Sequence, residues 1–238
     1  MSDSLSIEWI GETSYAEALS FQRQAVSDRL AGATPDRLLL VEHPPVITLG
    51  RSTDRANLRT EEADLRERGV ELFEVGRGGD VTYHAPGQLV GYPILDLDAQ
   101  GRRDVHAHLR RIEAGLIDAL EELGVPAKRM PGWTGVFVDR SRSAVPTGRE
   151  RKIASIGVGI RRWVTFHGFA LNVTIDLAGF EAIVPCGLQD VAMTSVAEEL
   201  AREEGVARLE QAWYPALDKR VREVVSEKMR LHLGAAAD

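Results

Sequence analysis

The sequence predicts one domain of mixed α and β structure, and three observations carry that expectation. Apolar residues recur at helical spacing from Val105 through Leu109, Ile112, Leu116 and Leu120 to Leu123, a stripe that can face a core. Elsewhere the pattern has period two, as in Val81-Thr82-Tyr83-His84 and over 152–160, which is the signature of strands. The third is size: 238 residues, 44% hydrophobic and 27% charged, suffice for one substantial core, so residues 1–238 are expected to form a single domain. With one cysteine there is no internal disulfide, and the fold must rest on that core.

Taken in order, Ser14 with Glu17 fits a capping box, and Tyr15, Ala18, Leu19, Gln22, Val26 and Leu30 continue a helix as far as Gly32. Residues 37–42 read as a buried strand broken by His43-Pro44-Pro45, and 46–49 resume it. His43, fixed beside two prolines, reads as structural. A short helix over 60–68 and a strand over 70–75 deliver the chain to RGGDVTYHAPGQ at 77–88, with a half-buried strand inside it. Residues 89–97 form another strand, which Pro93 demotes towards a sheet edge or a bulge. Asp104 caps the striped helix, and Gly124 and Pro126 stop it. His106 and His108, two apart, point to different faces and are no metal pair.

Residues 134–139 are a strand and 140–150 a polar loop. Over 152–160 Ala154, Ile156, Val158 and Ile160 share one face, while Ser155, Gly157 and Gly159 leave the other bare enough to admit something close to the backbone. A turn at Arg161-Arg162-Trp163 lets 164–173 pair back as a hairpin; 183–188 is a constrained loop, and helices follow from Ser195 and Pro215. There is no internal repeat.

The net charge of −7 argues against nucleic-acid binding, which needs a basic face. Arginines nevertheless cluster at 102–103, 110–111, 149–152 and 161–162, either as a rim for an acidic protein partner or as solvated surface. No apolar run is long enough to span a bilayer, and the N-terminal residues lack the basic and apolar regions of a secretory signal, so a cytoplasmic location is expected.

Reactive chemistry has few candidates. Cys186, between Pro185 and Gly187, is either an inert thiol or a nucleophile that a neighbouring cation or base activates. His84, His167 and Lys152 are the possible activators. Lys152 opens an otherwise apolar strand, where burial would let it exchange a proton, yet beside Arg149 and Arg151 it also reads as surface.

Four segments together, EHPPVITLG from Glu42, RGGDVTYHAPGQLVGYPI from Arg77, RKIASIG from Arg151 with HGFALNV from His167, and IVPCGL from Ile183, resemble the lipoyl(octanoyl) transferase family across residues 5–230. The resemblance implies an α+β fold, with a mixed, mostly antiparallel sheet flanked by helices, like the catalytic domains of biotin and lipoate protein ligases. It implies transfer of an octanoyl group from acyl carrier protein to a lysine of lipoyl domains, those of 2-oxoacid dehydrogenases and the glycine cleavage H protein. Cys186 would form the acyl thioester, and Lys152 would activate the thiol and later relay a proton from the attacking amine. Substrate contacts carry over to Arg77, Gly78, Gly79, Asp80, Val81, Thr82, Tyr83 and His84, to Ser155, Ile156 and Gly157, and to Gly168, Phe169 and Ala170, with His43 and His167 as supporting polar groups. The bare strand face would suit an acyl chain, and its backbone N–H groups an oxyanion.

Octanoyl-phosphopantetheine arrives on the carrier protein, and neither ATP nor a metal is expected, nor an oligomer. The family usually has glycine where this chain has Ala85. Two other readings stand beside this one: an ATP-dependent lipoate- or biotin-type ligase, which needs a lysine but no cysteine, and a non-catalytic carrier-binding protein.

Overall fold

The computed structural model describes residues 5–143, 148–187 and 190–234. Part of the polar loop expected over 140–150, the Cys186 side chain and Leu188 of the IVPCGL motif lie outside the described residues. The eight-stranded sheet begins with β1 (Ser6–Glu12) beside β2 (Arg37–Glu42), and the remaining strands are β6 (Gln88–Ile94), β7 (Ala127–Lys128), β8 (Val136–Val138), β9 (Glu150–Arg161), β10 (Val164–Asn172) and β11 (Val191–Met193). The strands run in the order β1-β2-β6-β10-β9-β8-β7, and β11 pairs with the start of β9. Only β1/β2 and β11/β9 are parallel pairs in this sheet, so it is the mixed, mostly antiparallel sheet expected. A second sheet was not foreseen: β3 (Val46–Leu49) lies between β4 (Glu71–Glu74) and β5 (Val81–His84).

Alternation along the strands sorts the two faces of the large sheet. Leu38, Leu40, Leu89 and Leu171 enter the main core with Ile112, Leu116 and Leu120 of α3 (Val105–Glu122) and Val221, Val225 and Met229 of α5 (Tyr214–Leu233). The intervening Leu39, Val41, Val90, Tyr92 and Ala170 face the other way, onto Ala18 of α1 (Tyr15–Leu30). Helix ends follow the expected chemistry. Ser14 and Glu17 form the reciprocal box on α1, Asp104 accepts from the Ala107 N–H on α3, and Ser195 accepts from Glu198 at the start of α4 (Val196–Glu203). The short helix expected over 60–68 is α2 (Glu62–Glu67).

Two expectations are corrected. β5 is buried along its whole length, because both of its faces are covered: Val81 and Tyr83 pack into the small sheet's own core, and Thr82 and His84 face the large sheet. Pro93 lies in a central strand, paired with Leu38 of β2. The ladder to β10 is broken there, ending at Phe169↔Gly91 and resuming as a bridge at Asp96↔Val164. In the gap the Thr165 hydroxyl donates to Pro93 O at 2.6 Å and accepts from Leu95 N at 3.0 Å, so a residue without an N–H is tolerated. The arginine clusters are also partly spent inside the molecule: Arg103 pairs with Asp98, Arg110 with Glu113 and Arg151 with Glu199.

Candidate active site

The α1-facing side of the large sheet and the inner face of the small sheet enclose a cavity of about 240 Å³. Arg77, Gly79, Asp80, Thr82 and His84 line it from β5 and the loop before it; Lys152, Ser155, Ile156 and Gly157 from β9; His167, Gly168, Phe169 and Ala170 from β10. The fold therefore gathers onto one surface most of the residues singled out in the sequence.

The loop at Arg77 is held from both sides. The buried guanidinium donates to Thr48 O at 2.8 Å and to the Thr48 hydroxyl at 2.9 Å, and Gly78 N donates to Val158 O at 2.9 Å. Glycine is required where the backbones meet: a Cβ on Gly157 would stand 2.8 Å from Gly78 O, and one on Gly50 2.2 Å from Gly79 O. What approaches the bare face of β9 is thus largely the chain itself. Gly157 receives the Gly78 backbone and Gly159 the Phe166 ring, so the face is not the open bed for an acyl chain that the sequence suggested.

Burial disfavours the charged form of His43, His84 and His167. At His84 burial first, then the neighbouring His43, pushes the pKa down to about 3. Its Nδ1–H donates to Gln88 Oε1 at 2.7 Å; the Gln88 amide is oriented by donating to Tyr83 O and, at 2.9 Å, to Asn172 Oδ1. His43 is lowered by burial too; Nδ1–H donates to Thr13 O and Nε2 accepts from the Tyr92 hydroxyl, each at 2.7 Å. His167, held near 4 chiefly by burial and then by Arg77, adopts a left-handed backbone with φ 55° and donates its amide to Gln22 Oε1 at 2.8 Å.

At the opposite end Lys152 is buried, with Nζ 5.7 Å from the centre of the Phe137 ring. Gly135, at φ 126°, closes over it, and a Cβ there would stand 2.7 Å from Lys152 Cε. The loop carrying Gly135 is fixed by the buried Glu113, which accepts from Gly135 N at 3.1 Å as well as from Arg110 and Arg129. The Cys186 backbone lies in the 3₁₀ turn Pro185–Gly187. That turn reaches the cavity through Asp80: a Cβ on Gly187 would be 3.1 Å from Asp80 Oδ2, which accepts from Asn57 Nδ2 at 2.5 Å, and Val184 N donates to Asn57 O at 2.7 Å.

Gly78, Val81, Tyr83 and His43 are not on the cavity surface. Val81 and Tyr83 point away because alternate residues of one strand cannot share a face, and Tyr83 instead packs edge-on against Phe180 with ring centres 5.5 Å apart. Tyr15, Val90, Tyr92, Gly132, Trp133 and Thr134 line the cavity without having been singled out. Only the run Pro131-Gly132-Trp133-Thr134-Gly135, an aromatic held between turn residues, carried a readable signal. No three His, Cys, Asp or Glu residues converge on a metal-sized site among the described residues.

Residues 14–217 match the sequence profile of the lipoyl protein ligase A/B catalytic domain. An octanoyltransferase of Acidobacterium capsulatum is 47% identical over 207 residues, covering 84% of this chain and 82% of that protein. Another, of Solibacter usitatus, is 51% identical over 179 residues, covering 75% of this chain and 76% of that one. Among solved structures, lipoate-protein ligase A bound with ATP superposes with a TM-score of 0.62 at 16% identity, covering 100% of this chain and 89% of that one. A structure from the archaeal lipoylation system of Thermoplasma acidophilum, a bipartite lipoate protein ligase and its E2 lipoyl domain, gives 0.62 at 18% identity, covering 98% and 84%. These two likenesses establish the fold.

Proposed function

The chain belongs to the lipoyl protein ligase A/B catalytic-domain family, and on that premise we propose that it is an octanoyltransferase, taking its acyl group from a carrier-protein thioester and delivering it to a lysine of a lipoyl domain. The observation that carries this reading is that Lys152 is buried in the wall of a cavity that also contains Asp80, the residue against which the Cys186 turn docks. A two-step acyl transfer needs a nucleophile and a proton acceptor, the roles this reading gives to Cys186 and Lys152.

Lys152 takes the Cys186 thiol proton, and the thiolate attacks the octanoyl thioester carbonyl. The bond to the phosphopantetheine sulfur breaks, and that sulfur leaves as a thiol with the proton that Lys152 returns, which leaves Lys152 neutral. The acceptor lysine amine then attacks the Cys186 thioester; the amide forms, the Cys186 sulfur leaves, and Lys152 takes the amine proton. Thioester exchange is nearly balanced and amide formation runs downhill, so neither ATP nor a metal is required. Lipoyl domains of 2-oxoacid dehydrogenases and the glycine cleavage H protein are the acceptors.

Intact-mass measurement after mixing with octanoyl carrier protein tests the scheme. One octanoyl group is expected on Cys186 without ATP, none on Cys186→Ser, and a transfer rate slower by about 10²-fold or more for Lys152→Ala. Octanoylation of a lipoyl domain only from free octanoate with ATP would identify a ligase instead, and no adduct under any condition would leave only carrier binding.

A further inference from the structure

Asp80 stands where the Cys186 turn and the cavity meet. Gly79, at φ 83°, turns the chain into β5, and alternation then puts Asp80 on the same face as Thr82 and His84, the face that lines the cavity. Among the described residues of that lining it is the only acid.

The two carboxylate oxygens have different surroundings. Oδ2 accepts from Asn57 Nδ2 at 2.5 Å, and Asn57 in turn holds the Cys186 turn by accepting from Val184 N at 2.7 Å. A Cβ on Gly187, next to Cys186, would stand 3.1 Å from the same Oδ2, so the carboxylate lies against the backbone of that turn. Oδ1 is buried and has no hydrogen-bond partner. An unpaired carboxylate oxygen in such a place is costly, and a positively charged donor offsets the cost best.

Octanoyl transfer brings one such donor to this place. The reacting end of the octanoyl carrier protein is a neutral thioester, whereas the acceptor is a lysine, an ammonium with three N–H groups at neutral pH. Resting on the transferase reading above, we propose that the Asp80 carboxylate is the subsite that receives the ammonium of the acceptor lysine beside the Cys186 thioester. The nitrogen then forms its bond to the octanoyl carbonyl carbon as the carbon–sulfur bond breaks. Of the two protons that the ammonium sheds, Lys152 takes one and the Cys186 sulfur the other, and Asp80 exchanges none.

The test uses octanoyl-enzyme, acylated on Cys186 by octanoyl carrier protein, and follows loss of the octanoyl group by intact mass with two small amines in place of the lipoyl domain. Propylamine, like lysine, is an ammonium at about pH 7, whereas hydroxylamine is neutral. Asp80→Asn keeps an oxygen for Asn57 and removes the charge. It should lower the propylamine:hydroxylamine rate ratio about tenfold or more and raise the KM for a lipoyl domain. Asp80→Glu keeps the charge and should retain most of the ratio. Asn57→Ala loosens the turn but leaves the charge, so it should slow both amines alike. A wild-type ratio in folded Asp80→Asn, or an equal fall of the ratio in Asn57→Ala, would overturn the proposal. A wild-type protein that never gains an octanoyl group on Cys186 would instead overturn the transferase reading on which the proposal rests.

Discussion

Burying a histidine makes a protein sensitive to acid, and His108 shows this apart from the active site. It lies on α3, 2% exposed, with Nε2 buried and unpaired, and burial, followed by the charge of Arg111, pushes its pKa down to about 4. At pH 8 the residue is neutral in the folded and unfolded chains alike. As the pH falls below 6.5 the unfolded chain takes up a proton that the folded chain refuses, so stability is lost between 6.5 and about 4. His108→Leu removes this linkage and an unsatisfied polar atom together. Urea unfolding at pH 8 and pH 5 should show the variant losing less stability than the wild type over that interval, by on the order of 2 kcal/mol, and being no less stable at pH 8. Equal losses in the two proteins would refute this account of His108. His43, His84 and His167 share the depressed pKa, but their rings also shape the site, so His108 is the position at which the acid response can be isolated.

Elements were legible in the sequence where a signal was long or repeated. α3 carried six apolar positions and a cap, and α1 a full capping box, so their existence and ends were readable. β7 and β11 span two and three residues and owe their extended form to pairing with β8 and β9, which no local pattern announces. β1 was missed because it is an edge strand with no fully buried position, Trp9 being 44% exposed. The site was legible as a set of motifs; of the run Arg77 to His84 carried over from the resemblance, Val81 and Tyr83 lie on the face of β5 turned away from the cavity, as the period-two pattern of that strand requires. The buried ion pair that anchors β9 was unreadable for another reason, since Glu199 lies 48 residues from Arg151. Its carboxylate accepts two bonds of 2.9 Å from Arg151 and is shared by Thr194 and Arg202, tying α4 to β9 one residue before Lys152. Glu199→Gln leaves Arg151 buried against a neutral amide and should cost roughly 3–5 kcal/mol in chemical denaturation. The lost anchor should also slow octanoyl transfer, and a variant as stable as the wild type would show that α4 docks by its apolar face alone.

Across the whole molecule, the cavity is also the seam between the two sheets. Thr48 and His84 of the small sheet meet the rest of the fold through polar groups: Arg77 donates to Thr48, and His84 donates to Gln88 on β6, which donates to Asn172 on β10. Asn172 donates in turn to Thr194 O at 2.9 Å, and Thr194 N donates to Lys152 O at 3.0 Å. Histidine, lysine and both sheets thus share one chain of buried hydrogen bonds, in which each member orients the next. Removing one member strands its neighbours, so Gln88→Leu and Asn172→Leu should each destabilise by about 1–3 kcal/mol or more. Because the second substitution removes a partner the first has already orphaned, the double variant should cost less than the sum, by about 0.5–3 kcal/mol. A double-mutant cycle in urea measures this, and strict additivity would mean that the two amides act independently. The same titrations should show Trp fluorescence and far-UV circular dichroism changing together, because a seam of this kind makes the small sheet unfold with the large one. Two separated transitions in the wild type would mean that the cavity divides two cooperative units, and Lys152 would then be held by the large sheet alone.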